Sequence, residues 1–189
     1  DPSLLPTFLL SKFAKRKVTV ALAGDGADEI FGGYDRYHKI TNHWKKIKYF
    51  PNWLNITTNK IAFCLGGSDF KFLNSLGKKI KRYGHKDIES LFSDEMSRWR
   101  PDEKIYNNND LGKSNFDVKT ILSEKIVSNY RHLMLIDVLT YLPGNLLVKT
   151  DRASMFQGLE VRNPFLDPGL VKLVWSLPDN YLDMNYSKS

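Results

Sequence analysis

The sequence predicts an α/β protein that is strongly α-rich and has few strands, on three observations. A helical stretch at residues 5–14 is followed by a short β-branched run at 17–22, a glycine-rich turn at 23–29 and the opening of another helix through Ile30 and Phe31, which is an α/β order of elements. Most of the remaining chain carries apolar residues at helical spacing. No second stretch reads confidently as a strand. One strand amid so much helix leaves a parallel sheet incomplete, so its other strands are expected outside these residues, with the chain cut at both ends.

Each element has its own local reason. Leu5, Phe8, Leu9, Phe13 and Ala14 recur at one helical face. Lys17-Val18-Thr19-Val20-Ala21-Leu22 is short and β-branched, which predicts a buried strand. From Tyr34 onward the pattern is mainly helical, with breaks at Pro51, Gly66-Gly67, Gly84 and Pro101, and a loop at residues 107–110. Residues 117–127 and 131–141 read as helices, the second strongly apolar and ended by Pro143-Gly144. A short helix follows at 149–156, an extended connection at 158–164 and a last helix at 167–176. There is no internal repeat and no low-complexity tract.

Composition narrows the class. A fold of 189 residues buries roughly 70% of the surface its unfolded chain exposes, enough for one domain with a core. Hydrophobic residues make up 42% and charged residues 26%, both ordinary for a water-soluble domain. No apolar run approaches the roughly 20 residues that span a bilayer, and Asp1-Pro2-Ser3 has no basic region of a secretion signal. The expectation is a cytoplasmic protein without membrane contact. The single cysteine, Cys64, lies in an apolar run and reads as a small hydrophobe. The net charge of +7 favours anionic partners in general. Its excess lies in Lys45-Lys46, Lys78-Lys79 and Lys81-Arg82, which read as solvated helix faces, with no nucleic-acid motif beside them.

Chemistry concentrates in two places. The first is Ala23-Gly24-Asp25-Gly26-Ala27-Asp28-Glu29, directly after the strand. Ligands of open α/β sheets bind at the carboxyl ends of strands, and glycine permits close backbone approach. Three carboxylates within five residues exceed what capping a helix requires. They suit Mg²⁺, which is held by one or two carboxylates together with substrate phosphates, or a substrate ammonium. A purely structural turn with Asp25 as N-cap accounts for the same spacing. The second place is residues 142–167, where Lys149, Asp151, Arg152, Glu160, Arg162 and Asp167 alternate with apolar residues. Charges in that setting predict an internal paired network, with Glu160, Arg162 and Asp167 bracing the extended segment and capping the last helix.

The run V-T-V-A-L-A-G-D-G-A-D-E-I-F-G-G-Y-D-R-Y, from Val18 to Tyr37, closely resembles the hallmark of glutamine-hydrolysing asparagine synthetases. The run L-P-G-N-L-L-V-K-T-D-R-A-S-M-F-Q-G-L-E-V-R-N-P-F-L-D, from Leu142 to Asp167, is similar to the same family. Two long motifs in the right order are a far more specific signal than a lone glycine loop. The resemblance implies an ATP pyrophosphatase fold of the adenine-nucleotide α-hydrolase-like (PP-loop) type. Residues 1–189 would form one partial synthetase domain, with the strand and acidic turn at 17–34 and a helical remainder at 35–189.

The implied chemistry is adenylation of aspartate by ATP with Mg²⁺, then amide formation with ammonia released from glutamine by a separate N-terminal domain. The resemblance gives Asp25 the catalytic position and Asp28 a position linked to metal and pyrophosphate. Ala23, Gly24, Glu29 and Tyr34 then line the nucleotide and substrate pocket, and Lys149 and Arg152 are basic partners for phosphate or carboxylate. A homodimer is compatible with the family. The family's phosphate loop, Ser-Gly-Gly-x-Asp-Ser, and its glutaminase domain are absent from 1–189. Leu65-Gly66-Gly67-Ser68-Asp69-Phe70 imitates that loop but follows the acidic turn, where the family's loop precedes it, and lacks both flanking serines. The family's catalytic lysine is expected just past the end, with Lys188 not assigned to it. Two alternatives stand beside this reading. One is a related ligase acting on a sugar acid or β-lactam precursor; the other is a noncatalytic basic module binding nucleic acid.

Overall fold

The computed structural model describes residues 2–49, 85, 87–96 and 128–182. The expectations for Cys64, the loop-like residues 65–70 and 107–110, the helix at 117–127 and Lys188 lie outside the described residues. The chain divides into two compact units, Asp1–Asp35 with Asp117–Ser189, and Arg36–Phe116. The described parts are α-rich with a short two-stranded parallel sheet, which is consistent with the α/β class.

The first unit opens with α1, Leu4–Lys15. Its apolar stripe is present, but three of its five members, Leu5, Leu9 and Phe13, point outward. Leu5 is 65% exposed, and Leu9 and Phe13 are exposed as well. The buried position is Ser11, whose Oγ donates to Thr7 O at 2.8 Å, while Thr7 Oγ1 donates to Ser3 O at 2.8 Å. Strand β1, Val20–Leu22, pairs in parallel with β2, Glu160–Arg162, in the register Val20↔Glu160, Ala21↔Val161, Leu22↔Arg162. The expectation of a buried β1 is not met, since Leu22 is 75% exposed and Val20 is also exposed. Parallel sheets bury such strands between covering layers, and among the described residues β1 has one neighbour and Leu22 no cover. Residues 158–164 read as a connection from sequence; three of them form β2 because a partner 140 positions away supplies the ladder.

After β1 the chain turns into α2, Ala27–Phe31, bounded by Gly26 (φ 91°) and Gly32 (φ 75°), both left-handed. Helix α2 packs against α5, Asn129–Leu139, through Tyr130, whose hydroxyl donates to Gly32 O at 2.5 Å. Pro143-Gly144 does not end the helical run that begins with α5. The chain passes instead through a π-helical segment, Leu142–Leu147, into α6, Val148–Met155. Proline lacks an N–H, and at the start of the π segment it occupies one of the first positions, where a missing donor is least costly. Helix α6 packs on α1, with the Phe8 and Phe156 rings 5.4 Å apart.

The merged run Asn129–Met155 has 27 residues and is long and apolar enough, by length and composition, to cross a membrane. That is weak evidence, because core helices pass the same test. Leu133, Met134 and the polar Asp137 on this run are fully buried, and Arg131 is nearly so.

The unit closes with a 3₁₀ turn, Pro164–Leu166, then α7, Pro168–Ser176, and α8, Asp179–Leu182. Asp167 caps α7 as expected, accepting from Gly169 N at 2.9 Å and Leu170 N at 3.0 Å. The short α8 is not legible in the sequence. Arg131 fastens this end: its guanidinium donates to Asp179 Oδ1, to Trp175 O at 2.7 Å and to Leu177 O. Most of the charges expected to form an internal network in residues 142–167 lie at the surface. Asp151, Arg152, Glu160 and Arg162 are exposed, with Arg162 paired to Glu160 at the surface.

In the second unit, α3 (Asp35–Ile47) and α4 (Ile88–Met96) are described. Tyr37 and Phe92 stack at 6.4 Å, with Ile40, Ile47, Ile88 and Leu91 buried. Lys45 and Lys46 are exposed, in keeping with a solvated face.

Candidate functional site

The site grows from the carboxyl end of β1. Ala23 N donates to Arg162 O at 2.9 Å, so the chain leaves the sheet in register with β2, and Gly24 O then accepts from Ala27 N at 3.2 Å to close the turn. Gly24 is exposed, and a Cβ built there meets nothing within 4 Å. Crowding inside the chain does not demand glycine at this position, and its backbone is open to approach from outside. Gly26 is different. Its left-handed backbone starts α2, and a Cβ would run into the Leu166 side chain.

The three neighbouring carboxylates go to three environments. Asp25 is half-buried, and its Oδ2 accepts a hydrogen bond from Thr150 Oγ1 at 2.7 Å. Asp28 is exposed on α2, with Oδ1 lying against Gly33. Glu29 is 1% exposed and turned into the unit. Tyr34 Oη donates to Glu29 Oε1 at 2.8 Å. Burial pushes the Glu29 carboxyl above its ordinary value, the Tyr34 hydrogen bond and a backbone one pull it down, and the negative charges of Asp137 and Asp28 add to the rise. Adjacent helical positions point about 100° apart, which is why Asp28 and Glu29 cannot share one face.

The basic residues of the second motif also separate. Lys149 Nζ donates to Ser3 Oγ at 2.9 Å. Arg152 is exposed. Thr150, between them, is buried and makes the direct link to the acidic turn, across 125 residues of sequence. Sequence reasoning passed over Thr150 in favour of its charged neighbours. It also passed over Asn163, which follows β2 and whose Oδ1 is buried without a hydrogen-bond partner among the described residues. The only local signal for either was a polar, uncharged residue inside a charged motif.

Among the described residues, no three His, Cys, Asp or Glu side chains are grouped to hold a metal ion. Asp28 alone has an exposed carboxylate at the turn, which fits an ion shared with phosphate oxygens better than one caged by protein.

The fold and the site together define an α-rich α/β protein in which two distant motifs meet at the tips of a parallel strand pair. The asparagine synthase family model matches residues 1–187, and the chain belongs to that family. It is 31% identical to asparagine synthetase [glutamine-hydrolyzing] 1 of Bacillus subtilis over 98% of this chain and 29% of that protein. It is 30% identical to a putative asparagine synthetase [glutamine-hydrolyzing] of Mycobacterium bovis, over 94% of this chain and 27% of the relative. A putative asparagine synthetase [glutamine-hydrolyzing] 2 of Methanocaldococcus jannaschii is 30% identical over 82% of this chain and 29% of its own length. The chain thus spans less than a third of the length of these relatives. No solved structure matches it significantly.

Proposed function

We propose that the polypeptide carrying this chain is an ATP-dependent carbon–nitrogen ligase that adenylates the side-chain carboxylate of aspartate and forms asparagine with ammonia derived from glutamine. The observation that supports this most is the hydrogen bond between Asp25 and Thr150, which joins the two motifs beside an open glycine backbone.

A carboxylate does not condense with ammonia unaided, because its oxygen is a poor leaving group. In the proposed first half-reaction a carboxylate oxygen attacks the α-phosphorus of ATP, and the bond to the bridging oxygen breaks to release pyrophosphate. In the second, the ammonia lone pair attacks the acyl carbon, the bond to the AMP oxygen breaks, and AMP leaves with that electron pair. Asp25 would accept the proton that nitrogen must lose. Gly24 and Ala23 present backbone to the adenylate, and the exposed Arg152 meets phosphate or carboxylate charge with Lys149 beside it. Tyr34 and Glu29 form the wall under the turn. Asp28 would hold Mg²⁺ together with phosphate oxygens, and the bound ion would neutralise charge on the phosphates.

The test is made in the full-length polypeptide. Asp25→Ala is expected to abolish asparagine formation from aspartate, ATP and ammonia, and Asp28→Ala to raise the Mg-ATP concentration required. Wild-type rates in both variants would overturn the assignment. Pyrophosphate release measured with aspartate, a sugar acid and a β-lactam precursor identifies the acceptor; release with aspartate alone is expected.

A further inference from the structure

We infer that Thr150 is a positioning residue for Asp25, holding the carboxylate at the strand tip so that its second oxygen faces the reacting groups. The inference rests on the amide-forming reading above and adds to it a residue outside the charged positions that define the motifs.

Three observations lead to it. Thr150 is buried, although threonine is a poor residue for a helix interior unless its hydroxyl finds a partner. A threonine inside a helix can return its hydroxyl to the carbonyl four residues back, as Thr7 does in α1, with Oγ1 donating to Ser3 O at 2.8 Å. Thr150 Oγ1 instead donates to Asp25 Oδ2 at 2.7 Å, across 125 residues. The bond occupies one carboxylate oxygen and leaves Oδ1 as the free acceptor, which fixes which lone pairs are available at the turn.

The winding of the helical run changes just before Thr150, which is the third residue of α6. The π-helical segment Leu142–Leu147 makes that change, in line with the frequent use of π turns at functional sites. At the other end Asp25 has no helical hydrogen-bond ladder to restrain it, because it precedes α2, whose N-cap is Gly26. Without the hydroxyl of Thr150, no hydrogen bond among the described residues holds the Asp25 carboxylate in this rotamer.

The proposal separates from a merely structural role by which variant rescues activity and which kinetic constant moves. Thr150→Val keeps the shape and deletes the hydroxyl, and Thr150→Ser keeps the hydroxyl and deletes a methyl. In the full-length polypeptide, with asparagine formation followed under saturating ammonia, Thr150→Val is expected to lower kcat at least tenfold while KM for ATP stays within about twofold. Thr150→Ser is expected to retain most of the wild-type kcat. On an Asp25→Asn background, Thr150→Val is expected to cost little more, because the group it positions is already lost. Wild-type kcat in Thr150→Val, equal losses in the Ser and Val variants, or full multiplication of the Thr150→Val and Asp25→Asn losses would each overturn the proposal. Asp25→Ala, run alongside, keeps the two readings apart. If it retains wild-type activity the amide-forming assignment of Asp25 falls; if it is inactive while Thr150→Val is not, only the role of Thr150 falls.

Discussion

The strand-tip turn and the outer surface of α1 and β1 belong to the same compact unit, yet they treat their side chains in opposite ways. At the turn, Asp25 is bonded to Thr150, Glu29 to Tyr34, and Gly32 O to Tyr130. On the outer surface, Leu5, Leu9, Phe13, Val20 and Leu22 stand exposed. The polar groups of the turn find partners among the described residues, whereas these apolar side chains of α1 and β1 stay exposed. The turn should therefore be sensitive to small substitutions, and the outer surface tolerant of large ones.

The largest effect on stability is expected at Gly26. Its φ of 91° costs an alanine about 1 kcal/mol or more, and the new Cβ must displace the Leu166 side chain, an overpacking cost of about 1–3 kcal/mol. Gly26→Ala should destabilise the protein by about 2–4 kcal/mol in urea unfolding. Gly24→Ala, which meets nothing within 4 Å, should leave stability nearly unchanged, so that any loss of activity it causes reports on a ligand and not on the fold. Equal stability losses at the two glycines would erase the distinction between a packed turn and an open one.

Local sequence carried the elements that depend on neighbours in the chain. The helix over α1, the turn after β1, the short helix of α6 and the Asp167 cap of α7 are all written in residues a few positions apart. What escaped it depended on distant partners. Strand β2 is too short to declare itself without β1, and Thr150 gains its meaning from Asp25. The continuation of α5 through Pro143 escaped for a different reason, since proline ordinarily ends a helix and only the π geometry accommodates it. The burial of β1 was misjudged because an apolar strand specifies that it wants cover, not where the cover comes from. For the acidic turn, spacing identified three carboxylates, and only the helical rotation of α2 sorts Glu29 inward from Asp28 outward.

That inward placement of Glu29 makes a pH-dependent prediction of intermediate size. Below the ordinary value of 4.5 the carboxyl is protonated in both folded and unfolded chains. Above it the unfolded chain ionises first, while the buried carboxyl keeps its proton to higher pH. The folded chain then binds more protons than the unfolded one, and stability falls as pH rises through the folded value. Glu29→Gln preserves an acceptor for Tyr34 but cannot ionise, so it should flatten this part of the pH–stability curve. Urea midpoints measured from pH 4 upward check the point, and an unchanged slope in Glu29→Gln would show that Glu29 is not the group responsible.

The smallest effect should come from the other side of the comparison. Leu9 is exposed on α1, away from Ser11, the buried position of that helix. Replacing it with lysine leaves a residue whose stem can cover the same surface while its charge reaches water and keeps a good helix former, so the unfolding free energy of the chain should change by no more than about 0.5 kcal/mol. An apolar residue inside a completed core would instead cost several kcal/mol when replaced by a charge, because the ammonium would lose its hydration. A loss of that size at Leu9, measured on the 189-residue chain, would mean that the α1 surface is already covered in solution. The contrast between a finished turn and an unfinished apolar face would then collapse. A near-zero change at Leu9 combined with a large penalty at Gly26 keeps it, because the packed turn then contributes to stability where the exposed Leu9 does not.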